Sequence, residues 1–194
     1  MTIATLVVAV LVGAVSLLIL TEAWRISLPA LLTVYLVLAV LVGIETNPAI
    51  GGVHLLVGVF TAAVLVSTLR VLPQFTGLAV NYAFGLPYRI ATGLFALVVA
   101  YSLADTYPIA DVSAALNFAV YWLGAVGLLT LVLARRVLSV AYAIFLLEEV
   151  ASVFLSLFSE GPGLARLLLA GLVQLAIAVA VAYLLYIERE GEPG

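Results

Sequence analysis

The chain has 194 residues, 66% hydrophobic and only 9% charged, with a formal net charge of −3 and a mean hydropathy of +1.36. Soluble domains carry about 25% charged residues, so this composition excludes a globular enzyme in water and places the chain in a membrane. There is no cysteine for disulfides, thiolate metal sites or nucleophilic catalysis, no lysine for a retinal Schiff base, and only one histidine, which rules out bis-histidine haem ligation within the chain.

A helix that spans a bilayer needs about 20 apolar residues, and seven stretches qualify. The first is predicted over 3–21. It has no cationic n-region and is too long and uncharged for a typical cleaved signal, so it reads as a first span. Glu22-Ala-Trp-Arg25 ends it, and the second follows over 27–44, closed by Glu45-Thr-Asn-Pro48, a charge combined with a helix-stopping proline. The third covers 50–72. Pro73 to Pro87, with Gln74, Thr76, Asn81 and Gly85, reads as a long loop or interfacial piece and not as another span. The fourth runs over 88–104, the fifth over 115–134, the sixth over 137–158 and the seventh over 165–187. The expected fold is therefore all-α, a single polytopic membrane domain over 1–194 with no soluble extramembrane domain.

Charge segregation orients it. With seven spans, Arg25, Arg70, Arg89, Arg135, Arg136 and Arg189 fall on one side, while Arg166 falls on the other beside Glu45, Asp105, Asp111 and Glu160. By the positive-inside rule this places the N-terminus outside and the C-terminus in the cytoplasm. An even number of spans would scramble the segregation. Arg70, Arg89, Arg135 and Arg136 then read as topology anchors with lipid phosphate contact as a secondary role.

Chemistry has few places to reside. Glu148 and Glu149 sit in the middle of the sixth span, where a charge costs about 2.5–3.5 kcal/mol on insertion scales. Helical neighbours point about 100° apart, so the two cannot face one site. One carboxyl should look into the bundle or a partner subunit, and the other needs a second neighbour or a proton. A buried carboxyl suits proton exchange; the alternative is a structural acid, neutral or paired with an arginine of another chain. Gln174, at mid-depth of the seventh span, suits packing or water ordering, with lining a proton path as the alternative. His54, near the outer end of the third, is either hydrated at an interface or part of a relay. Glu149, Glu148, His54 and Gln174 are thus the proton-path candidates. Gly51, Gly52, Gly58, Ala62, Ala63, Gly124 and Gly127 allow close helix approach. No phosphate loop, metal-ligand cluster or serine–base pair is visible, so no cofactor and no free-standing catalysis are expected.

The stretch Arg135-Arg-Val-Leu-Ser-Val-Ala-Tyr-Ala-Ile-Phe-Leu-Leu-Glu-Glu149 resembles the second helix of the small K-type subunit of respiratory complex I, where an arginine-bearing loop precedes a mid-membrane glutamate. The layout as a whole resembles component E of hydrogenase 4, in which four helices (here 1–104) precede a K-like set of three (here 115–187). Ala23-Trp-Arg-Ile-Ser27 is similar to the start of that component's second helix. The resemblance matches Glu149 to the family's mid-membrane glutamate and Arg136 to its preceding arginine. Two departures stand out. Gln174 falls where the family's last helix carries an acid, and Val64-Leu-Val-Ser67 lacks the lysine expected in the third helix.

The resemblance implies a membrane-arm subunit of a complex I-like or group 4 hydrogenase-like assembly in the plasma (inner) membrane. Its partners would be antiporter-like subunits, hydrogenase- or quinone-module subunits and lipids, with no nucleic acid. Glu149 would carry protons, helped by Glu148 and His54. The alternative is a purely structural accessory subunit. An independent small transporter or pigment- or lipid-binding protein ranks last, because no internal repeat with broken helices is visible.

Overall fold

The computed structural model describes residues 3–21, 23–71, 85–109, 111–134, 136–158 and 164–190. These residues form seven helices, in chain order α1 (Ile3–Leu20), α2 (Trp24–Glu45), α3 (Pro48–Val71), α4 (Leu86–Thr106), α5 (Ala114–Leu133), α6 (Val137–Phe158) and α7 (Leu164–Glu190). Among the described residues there is no strand. Six of the helices are long and apolar enough to cross a membrane, whereas the apolar stretch of α1, Thr5–Leu20, is shorter. The chain is thus a multi-pass membrane protein by its helices. Most of the predicted 73–87 loop, and Arg135 with it, lies outside the described residues.

Several helices run past the apolar segments expected of them. α2 begins at Trp24 and not at 27, taking in Trp24 and Arg25, whose guanidinium stands 5.7 Å from the Trp24 ring centre. α4 begins at Leu86, with Pro87 in its first turn. The cause is backbone chemistry: peptide groups near lipid must be satisfied internally, so the helix continues until water can take over. The starts are capped where the sequence allows. Asn47 Oδ1 accepts from Ala49 N–H at 2.8 Å ahead of Pro48, and Ser113 Oγ accepts from Leu116 N–H ahead of α5.

Successive helices are antiparallel. Only Thr46 and Asn47 separate α2 from α3. Arg89, at the start of α4, donates to the carbonyl of Ile19 at the end of α1, where a cation also complements the helix dipole. At the other end, Asn117 of α5 donates to Ala104 O of α4 at 2.8 Å and accepts from Ile109 N–H at 3.1 Å, binding the α4–α5 connection. The bundle therefore has an arginine end, with Arg25, Arg70, Arg89 and Arg136, and an acidic end, with Glu45, Asp105 and Asp111 beside Arg166.

One apolar core runs through both halves of the chain, including Val15, Leu31, Leu38, Leu65, Trp122 and Phe145. α2 is the most enclosed helix, while α4 buries only Ala96 and Ala100. Lipid removes most of the hydrophobic drive for helix association, so close packing and interhelical hydrogen bonds must hold the bundle. α2 and α3 show the first of these. A Cβ at Gly51 would meet the Ala39 carbonyl and the Gly43 backbone, and one at Gly58 would fall within the Tyr35 ring. Gly127 plays the same part against Leu147. Gly52 and Gly124, also expected to aid packing, face open space within this chain.

Candidate functional site: a buried histidine–carboxylate pair

α6 directs Tyr142, Phe145, Glu149, Ser152 and Ser156 inward, a buried stripe at three- and four-residue spacing. α3 turns Gly51, His54, Gly58 and Thr61 inward in the same way. Where the stripes meet, His54 Nδ1 and Glu149 Oε1 lie 2.6 Å apart. Both residues are enclosed, with 3% and 2% of their surface exposed. His54 is therefore enclosed within the bundle and not exposed on its surface. A hydrogen bond this short places one proton between the two groups, on the imidazole or on the carboxyl, and with Nε2 protonated as well the pair is neutral overall. That neutrality makes it tolerable in a medium that penalises an isolated charge.

The second ring nitrogen is the informative atom. His54 Nε2 is buried and has no hydrogen-bond partner among the described residues. His54 lines a small cavity with Val53, Val57, Glu149, Ser152, Leu167, Gly171 and Gln174, leaving about 10 Å³ for the centre of a water-sized sphere. That volume is at the threshold for one water, which also needs two to four polar partners. His54, Glu149, Ser152 and Gln174 are placed to supply them.

Gln174 is almost fully enclosed and donates through Nε2 to the hydroxyl of Tyr35 on α2, which is equally buried. The Tyr35 ring occupies the space left by Gly58, four residues after His54 on α3. Glu148 stands apart from this centre, as helical geometry requires. It is half-buried and accepts a hydrogen bond from Ser152 Oγ at 3.2 Å. Ser152 thus touches both carboxylates' surroundings, the cavity on one side and Glu148 on the other. Closer to the arginine end, the Ser27 and Tyr142 hydroxyls share a buried hydrogen bond of 2.8 Å between α2 and α6.

Three of the four expected proton-path residues, Glu149, His54 and Gln174, therefore converge on one cavity, and Glu148 adjoins it through Ser152. None of the described arginines lines the cavity: Arg70 is exposed near the end of α3, Arg136 is half-buried ahead of α6, and Arg89 binds the end of α1, while Arg135 lies outside the described residues. Tyr35, Ser152 and the Ser27–Tyr142 bond were not anticipated from the sequence. Tyr35 carried the signal already used for Glu149, a polar group in the middle of an apolar span. Tyr142, Glu149 and Ser156 are seven residues apart in sequence, a spacing that would have marked the inner face of α6.

No family model, curated protein or solved structure matches the chain. Its chemistry must be read from the site itself. No group of three or more potential metal-binding His, Cys, Asp or Glu side chains occurs among the described residues. The arrangement can hold a proton between two titratable groups and exchange it with a neighbouring hydroxyl or water, which the Gln174 amide can orient.

Proposed function

We propose that the chain is a non-catalytic membrane-arm subunit of a complex I-like or group 4 hydrogenase-like assembly, and that it contributes a proton-transfer station to ion translocation. The observation that carries this reading is the 2.6 Å His54–Glu149 pair beside a water-sized polar cavity. A group that only glues helices together needs a partner but not a second vacant lone pair or N–H; His54 presents one at Nε2. In this reading α1 is a seventh span. The arginine end faces the cytoplasm, and the membrane is the plasma (inner) membrane. The second titratable group of the station comes from α3, through His54, and not from α7, where Gln174 stands.

The resemblance of the Arg135–Glu149 stretch to the K-type subunit supports the kind of assembly. Antiporter-like and hydrogenase- or quinone-module subunits would flank the chain, with redox centres in those partners. A purely structural accessory role is the second reading. It is favoured by the three buried side-chain pairs that join α2, α3, α6 and α7, since such bonds also stabilise a bundle.

The deciding experiment is Glu149→Gln in the assembled complex, in sealed membrane vesicles, with proton translocation measured per redox turnover and assembly checked on native gels. We expect an assembled complex with coupling lost or strongly reduced. Intact coupling would overturn the proton role and leave the structural one.

A further inference from the structure

The station is not symmetric between the two ends of the bundle. At about 1.5 Å per residue, His54 lies about 9 Å from the start of α3, and Gly58 and Gln174 each lie about 15 Å from the starts of α3 and α7. All of those starts are at the acidic end. Of the residues that line the cavity, Val53 and Leu167 lie nearer that end than His54, Ser152 is about level with it, and Val57, Gly171 and Gln174 lie deeper, up to the level of Gly58. On the opposite side, the next layer is the Tyr35 ring, packed on Gly58 and held by the Gln174 amide. Beyond that ring stands Thr61, whose buried Oγ1 has no partner among the described residues, and then the Ser27–Tyr142 bond.

We propose that the cavity is a single-water site reached from the acidic end only, and that Tyr35 is the plug separating it from the arginine end. The water accepts from His54 Nε2–H, the protonation that keeps the pair neutral, and meets Ser152 Oγ, which extends the pair toward the end where Ser156 is buried one turn further along α6. Protons therefore exchange between Glu149–His54 and the acidic side. Passage to the other side requires the Tyr35 ring to leave Gly58, and the Gln174 hydrogen bond opposes that movement. Gln174 acts here as a positioning residue for Tyr35. This inference rests on the reading of the pair as a proton station, but access and coupling are separate measurements.

The absence of cysteine from the chain makes the test direct, because any cysteine introduced is the only one in the chain once denaturing electrophoresis separates it from its partners. Val57→Cys and Ser152→Cys place a thiol on the cavity, and Thr61→Cys places one beyond the plug. Each is examined in the assembled complex, in sealed native membranes of either orientation and in chloride-free medium. Silver ion, close to water in size, is added outside, and thiols left unreacted are counted with maleimide after denaturation. We expect at least a fivefold loss of maleimide labelling at Val57→Cys or Ser152→Cys when silver is on the acidic side, and little loss when it is on the arginine side. Thr61→Cys should resist silver from the acidic side and become reactive from that side when combined with Tyr35→Ala. Equal access from both ends, access from the arginine end alone, or no access at either cavity position overturns the proposal. So does a Thr61→Cys thiol that silver reaches from the acidic side with Tyr35 in place. Retained coupling in Glu149→Gln together with one-sided silver access would instead sink the proton reading and leave the water site standing.

Discussion

The ring of Tyr35 fills the space in which a side chain at position 58 would stand, so the residue pair Tyr35–Gly58 sets how closely α2 approaches α3. The contact has no slack, because the added Cβ would meet the fixed inner atoms of the ring and not the end of a flexible chain. Overpacking of this kind costs about 1–3 kcal/mol. Gly58→Ala should therefore lower the unfolding free energy in detergent by that amount, while Gly124→Ala, which meets nothing within 4 Å, should leave it within about 0.5 kcal/mol.

Removing one partner from a buried pair is worse than removing both. His54→Ala leaves the Glu149 carboxyl without its hydrogen bond, at a cost of about 1–3 kcal/mol. In the double variant His54→Ala, Glu149→Leu nothing polar remains to be satisfied. A double-mutant cycle by denaturant titration should give a coupling of about 0.5–3 kcal/mol. A coupling near zero would mean that the two side chains do not meet in the folded bundle.

The Ser27–Tyr142 bond should contribute less. Interhelical hydrogen bonds in membrane proteins average about 0.6 kcal/mol in double-mutant cycles. Tyr142→Phe and Ser27→Ala should each destabilise by about that much, and the double variant should add little to either. Additive losses in the cycle would remove the bond.

Asn117 holds the α4–α5 connection through two hydrogen bonds, to Ala104 O and from Ile109 N–H. Net contributions of about 0.5–1.5 kcal/mol per bond make Asn117→Ala a local loosening and not a general collapse. Proteolysis should cut between Tyr107 and Ser113 several times faster in the variant, with the temperature of global unfolding little changed. Unchanged cleavage would show that the connection is held by other groups, such as the Tyr121 hydroxyl on Tyr107 O.

The helices were legible in the sequence because lipid enforces them. Each apolar run must bond its own backbone, and Pro48, the Asp105–Asp111 segment and the arginine clusters mark where it can stop. Their ends were less legible: α2, for example, carries Trp24 and Arg25 inside its first turn, past the apolar stretch. At the site, one-residue angular geometry was enough to separate Glu148 from Glu149. It could not show that Glu149 meets His54, because the two are 95 residues apart in sequence and their contact depends on the rotation of two nearly uniform apolar helices. In a soluble helix the polar face would reveal that rotation; α3 and α6 are apolar on both their lipid and their core sides, so only the few polar residues record it. The same uniformity hides Tyr35, whose hydroxyl is one of three in an otherwise apolar span, with Ser27 and Thr33.

The three buried side-chain pairs share a property with a consequence for biosynthesis. Ser27, Tyr35 and His54 belong to α2 and α3, whereas their partners Tyr142, Gln174 and Glu149 belong to α6 and α7. A ribosome delivers the first set long before the second, so the early helices enter the bilayer holding polar groups that nothing yet made can satisfy. They must wait beside the insertion machinery, or against water, until the later helices arrive. A chain interrupted after α5 would never find those partners and would be a ready target for membrane quality control, so the first half of this protein is a molecule that only the second half makes acceptable to lipid.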